Sequence, residues 1–268
     1  MSNLDLLRSL LDFRVELLLW VLCSIIAYCL AVNVPHYVRL KQGSRGRRFL
    51  TVLERSPYSA WLVEVFRLAY FLGIPYLALT LGVTSPLLMG LWGTDWFRPP
   101  WFRQIALGVA LSLGALLLLL WGWRHALSAS DPFEGSRRRQ VYSFQRRLLM
   151  ASWGWGAIVL EVLYLEIHWA FYRSAAIRLS DAYYGAFAGF LLVVLELLLN
   201  PAVREDLSIS HRSGETLSLL ATALVVTVIY ALTSNLWLCI LAHLGIQFGL
   251  LGFLEVSRPL TEDERQQN

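Results

Sequence analysis

Thirty-eight consecutive residues, Leu217 to Leu254, contain no Asp, Glu, Lys or Arg. A helix of that length would extend about 57 Å, nearly twice the roughly 30 Å hydrocarbon core of a bilayer. The run therefore has to turn back on itself, and Thr233-Ser234-Asn235 is the polar cluster that can make a tight hairpin. Lipid offers no water to backbone N–H and C=O groups, so two such apolar crossings are expected to be helices.

The rest of the chain repeats the pattern. Seven stretches reach membrane length, at about 15–34, 58–83, 103–123, 148–171, 182–199, 217–234 and 236–254. Composition agrees: of 268 residues, 57% are hydrophobic and 16% charged, against about 45–50% and 25% in soluble domains. A soluble enzyme, a disordered tail and a disulfide scaffold are excluded. The expected fold is an all-α, polytopic transmembrane helical bundle of about seven spans in a single domain over 1–268, with a polar cytoplasmic tail at 255–268. An additional helix, or an interfacial one, at Leu4–Leu11 would make eight. The apolar run near the N-terminus starts late and no small-x-small cleavage site follows it, so it reads as a retained anchor. Cys23, Cys29 and Cys239 lie in apolar stretches and read as small hydrophobes. Thr84–Pro100, with Trp92 and Trp96, reads as an interfacial loop.

Charge sets the expected orientation. Sixteen of the 23 basic residues fall on one side, mostly in the loops 35–57 and 124–147, and six on the other. The positive-inside rule then puts the C-terminus in the cytoplasm. The net charge of +4 is a membrane-surface feature, so lipid is the expected partner and nucleic acid is not.

Ionisable residues inside spans are costly and are the places to look for chemistry. Glu64 and Arg67 are an i, i+3 pair, Glu16 is interfacial, and Glu196 lies near a span end where it can snorkel or cap. The fourth span is denser, holding Glu161, Glu166, His168 and Arg173. Glu166, Trp169 and Arg173 share one helix face, whereas His168 points about 160° away from Glu166, within a turn of Tyr164 and Tyr172. The last span adds His243 and Gln247 at i, i+4. His243 lies roughly 10 Å and Glu166 roughly 9 Å from the outer ends of their spans at 1.5 Å per residue, and Glu161 and Gln247 match one to two turns deeper. The matched depths predict one polar centre shared by the two spans; a Glu166–Arg173 brace between helices is the structural alternative. Gly185-xxx-Gly189 and Gly245-xxx-Gly249 are small-residue spacings that favour close helix packing.

Residues 150–254 resemble the CAAX-protease and bacteriocin-processing (abortive-infection) intramembrane endopeptidases. That family carries Glu-Glu-xxx-Arg on one span, Phe-xxx-His on the next and a late His-xxx-Asn or His-xxx-Asp. Here Glu166…Arg173 is similar to a stretched first motif and His243…Gln247 to the last, while the doublet and the middle histidine are absent. The resemblance implies peptide-bond hydrolysis by a water that Glu166 activates, with His243 or Gln247 as oxyanion donor and Arg173 and His168 completing the set. It further implies a peptide or membrane-protein substrate and a multi-pass protein of the bacterial cytoplasmic membrane. A divalent metal would need three ligands, for which Glu166 and His243 with His168 or Glu161 are the candidates. The alternative is a catalytically inactive scaffold or binding protein of the same fold. A transporter is disfavoured, since paired broken helices are lacking.

Overall fold

The computed structural model describes residues 3–41, 45–56, 58–92, 100–128, 154–208 and 213–256. All regular structure among them is helical: α1 Asn3–Leu40, α2 Arg45–Arg55, α3 Ser59–Leu68, a π turn Ala69–Gly73, α4 Ile74–Thr80, α5 Pro100–Ser128, α6 Gly154–Leu179, α7 Ala182–Leu199, α8 Pro201–Ser208, α9 Ser213–Thr233 and α10 Leu236–Val256. Six segments are long and apolar enough to cross a membrane: Phe13–Leu40, Trp61–Thr80, Trp101–His125, Ala182–Leu199, Ser213–Thr233 and Leu236–Phe253. The chain is an all-α, multi-pass integral membrane protein. Leu4–Leu11 belongs to α1 and forms no separate helix. Most of the basic loop 124–147 and nearly all of the tail 255–268 lie outside the described residues.

The fourth apolar stretch, expected at 148–171, is helical from Gly154 to Leu179. Carrying Glu161, Glu166, His168 and Arg173, this helix cannot present all its faces to hydrocarbon. It takes the middle of the bundle, against α1, the α3–α4 span, α7 and α10, while α5 packs on the far side of α9 and α10. From Trp169 to Ala176 every residue of α6 is buried.

Two local devices hold α6 and its neighbours. The α6–α7 turn ends in Asp181, whose carboxylate caps α7 by accepting from the N–H groups of Tyr183 and Tyr184 at 2.8 and 2.9 Å. The helices then meet backbone to backbone. A Cβ on Gly185 would lie 2.4 Å from Ile177 Cα, and one on Gly189 2.6 Å from Arg173 Cα. The second small-residue spacing behaves differently: a Cβ on Gly245 would meet nothing within 4 Å, and one on Gly249 only the Leu116 side chain. Gly245 is exposed. Because α10 turns that residue outward, Gly245-xxx-Gly249 is no backbone seam.

The hairpin in the charge-free run is built as its polar residues require. Ser234 has φ 50°, and the Asn235 side chain accepts from Trp237 N–H at 2.9 Å and Leu238 N–H at 3.3 Å, capping α10. The segment after α4, expected at the interface, docks inward up to Leu91. Leu236 N–H donates to Gly90 C=O at 3.0 Å, Arg178 Nη1 donates to Gly82 and Val83 C=O, and Met89 is buried. Residues 93–99 lie outside the described set.

Candidate functional site

Burying a carboxylate in hydrocarbon is tolerable only with compensating partners. Glu166 has two. Its Oε1 is 2.9 Å from His243 Nδ1 on α10, and its Oε2 accepts from Arg173 Nη2 at 3.3 Å, two turns along α6. All three side chains are at most 2% exposed. The matched depths thus correspond to a direct bond. The His243 ring is stacked on Trp169, centroids 5.5 Å apart and planes at 13°, which fixes its tilt as well as its position. Arg173 lies over the Tyr230 ring at 4.7 Å, a cation–π contact that a desolvated guanidinium makes strong. Its Nε and Nη1 have no hydrogen-bond partner among the described residues. The Tyr230 hydroxyl donates to Leu88 C=O, tying the inward-docked segment to the edge of the cluster.

The other residues assigned to this centre go elsewhere. Gln247 is half-buried, and its amide bonds to none of Glu166, Arg173 and His243. Glu161 does not meet Gln247; it pairs with Arg67 on α3, which also holds Glu64 at 3.5 Å. A fixed cation on the adjoining helix outcompetes a neutral amide. His168 occupies the opposite face of α6, as its angular offset requires.

There it forms a second centre that sequence reasoning missed. His168 Nε2 lies 3.1 Å from Tyr70 Oη and 3.4 Å from Glu196 Oε2. The Tyr70 hydroxyl donates to Glu196 Oε1 at 3.0 Å, and Ser24 Oγ sits 3.1 Å from Tyr172 Oη. Glu196 neither snorkels nor caps: α7 turns it inward, where the tyrosine hydroxyl and the imidazole satisfy it. The signal available beforehand was Tyr172, one turn from His168; what it lacked was Glu196, whose rotation about α7 is set by packing at Gly185 and Gly189.

The donor set does not suit a divalent metal. Glu166 and His243 are two ligands, and the third direction is filled by a guanidinium, which repels a cation. Among the described residues no three His, Cys, Asp or Glu side chains converge on a metal-sized site.

Fold and site together define a multi-pass helical membrane protein with a buried Glu–His–Arg cluster at its central helix. Comparison with protein-family models, with curated proteins and with solved structures finds no match.

Proposed function

We propose that this chain is a CAAX-protease-like intramembrane endopeptidase working with a rearranged set of residues, in a bacterial cytoplasmic membrane with its C-terminus inside. The carrying observation is the 2.9 Å bond from Glu166 to His243 Nδ1. A carboxylate on Nδ1 selects the tautomer that leaves Nε2 as the acceptor and stabilises the imidazolium once a proton arrives. His243 is then the general base and Glu166 its orienting partner, a reversal of the roles implied by the family resemblance.

Nε2 removes a proton from water as the oxygen attacks the peptide carbonyl carbon. Negative charge develops on the carbonyl oxygen, and the two unbonded N–H groups of Arg173 are donors suited to it. Collapse of the tetrahedral species returns the proton from Nε2 to the leaving amine. General-base catalysis of this kind contributes about 10²–10⁴-fold. Entry of water and peptide requires the Leu88–Tyr230 contact to open, since that segment closes the cluster's edge.

A second reading, the same fold with a silent polar core, is favoured by the near-complete burial of Glu166 and Arg173. One experiment separates the two. Purified protein in proteoliposomes is given a mixture of synthetic transmembrane peptides and a quenched prenyl-cysteine peptide, with products read by mass spectrometry. Cleavage that disappears in His243→Ala and Glu166→Gln supports the protease. No cleavage of either probe by folded wild-type protein leaves the silent-core reading.

A further inference from the structure

The two buried centres of α6 differ in one electrostatic respect. Glu166 faces Arg173, a cation at every accessible pH, so that pair is neutral without any proton being bound. Among the described residues, Glu196 faces no such group. The titratable side chains around it are Tyr28 from α1, Tyr70 from the π turn, His168 and Tyr172 from α6, with the Ser24 hydroxyl beside them. The neighbouring fixed cation, Arg67, is already engaged by Glu64 and Glu161. In a low-dielectric interior, the Glu196–His168 pair is electrically neutral only when it holds one proton.

Geometry shows how the pair is held. A charge-assisted N–H···O bond is about 2.7–2.9 Å, whereas His168 Nε2 and Glu196 Oε2 are 3.4 Å apart. Tyr70 Oη, 3.1 Å from His168 Nε2 and 3.0 Å from Glu196 Oε1, is the closer partner of each. His168 Nδ1, fully buried, has no hydrogen-bond partner among the described residues, which a purely structural brace would not leave open.

Polar side chains continue from the centre toward one end of the bundle. The Tyr28 ring lies 5.9 Å from that of Tyr70, and its hydroxyl accepts from Asn200 Nδ2 at 3.0 Å. Asn200 ends α7 one turn beyond Glu196, about 6 Å along the axis. Asn33 Nδ2 donates to Leu199 C=O at 3.1 Å beside it. One turn further along α1, His36 faces the exposed Glu205 at 3.7 Å.

We propose that Glu196 and His168, with Tyr70, Tyr172 and Ser24, form a proton-binding site that exchanges with water at the α7 C-terminal end through Tyr28 and Asn200. Uptake of one H⁺ from water by the Glu196 carboxylate changes the centre from −1 to neutral, and its release reverses this. The π turn contributes Tyr70, whose hydroxyl lies within hydrogen-bonding distance of both members of the pair. The site is independent of the Glu166–His243 chemistry and occupies the opposite face of α6.

Infrared difference spectroscopy of the protein in liposomes tests this directly. Wild-type protein at neutral pH is expected to show a protonated-carboxyl C=O band that shifts when the outer medium is exchanged for D₂O. The band is lost in Glu196→Gln, is altered in frequency in His168→Gln and persists in Glu166→Gln. Tyr28→Phe combined with Asn200→Ala keeps the band but slows its deuterium shift. Absence of the wild-type band, its survival in folded Glu196→Gln, or failure to exchange overnight overturns the proton site. An unchanged exchange rate in the Tyr28/Asn200 variant overturns the route. Each readout is independent of peptide cleavage, so failure of the protease reading leaves it intact.

Discussion

Replacing Gly189 by Ala puts a methyl group where the structure has the backbone of another helix. The new Cβ would be 2.6 Å from Arg173 Cα and 2.8 Å from its N, against about 3.5–4.0 Å for a comfortable carbon contact. The shortfall is about 1 Å, and both partners are helical backbone, so no rotamer change relieves it. Overpacking of this kind costs about 1–3 kcal/mol, and Ala recovers up to about 1 kcal/mol through its better helix propensity. The net expectation is destabilisation by about 1–2 kcal/mol. Gly245→Ala is the internal control: with nothing within 4 Å of the new methyl, only the propensity gain acts, and stability should hold or rise. Reversible unfolding in mixed micelles on SDS titration, followed by circular dichroism, reads both. If Gly189→Ala matches wild type, or if Gly245→Ala loses as much, then the backbone seam is not where α6 and α7 are held.

Other consequences follow from the buried charges and the hairpin. Glu166→Leu strands the Arg173 guanidinium in hydrocarbon and should cost about 3–5 kcal/mol in the same titration, whereas Glu166→Leu with Arg173→Met should recover most of that. A double variant as unstable as the single would refute the electrostatic account. Asn235→Ala removes the cap from Trp237 and Leu238 and should cost about 1 kcal/mol. Ser234→Gly relieves a left-handed residue at φ 50° and should stabilise by about 0.5–1 kcal/mol after the entropy of glycine is counted; a loss of stability there would mean the serine side chain matters more than its backbone.

The spans and the hairpin were legible in the sequence because length and charge decide them without knowledge of neighbours. Thirty-eight uncharged residues cannot make one crossing, and Asn235 is placed where a helix start needs a cap. The Glu166–His243 pairing was legible for a related reason, since depth in a bilayer is a coordinate that residue counting supplies. Rotation about a helix axis relative to other helices is not. His168 pointed away from Glu166 on its own helix, but nothing in residues 182–199 said that Glu196 would turn toward it. Gln247 failed for the converse reason: it shares the expected face of α10 with His243, yet the centre is filled by Arg173 and Tyr230, leaving the amide no partner there. Glu161 was drawn off by Arg67, whose assignment to Glu64 alone was only half of its geometry.

Pro75 supplies no N–H and its ring crowds the carbonyl one turn back; the π turn at Ala69–Gly73 sits where that disturbance falls. A π turn is a helix carrying one residue more than its hydrogen-bonding frame needs. It acts as a phase shifter: each extra residue rotates everything beyond it by about 100°. The half-span before it, which aims Arg67 at Glu161, and the half-span after it, which buries Ala78, are therefore indexed separately. Deleting a single residue within Ala69–Gly73 would leave composition and length almost untouched, yet would turn the half of the helix after it out of register with the half before it, sending Ala78 to the lipid.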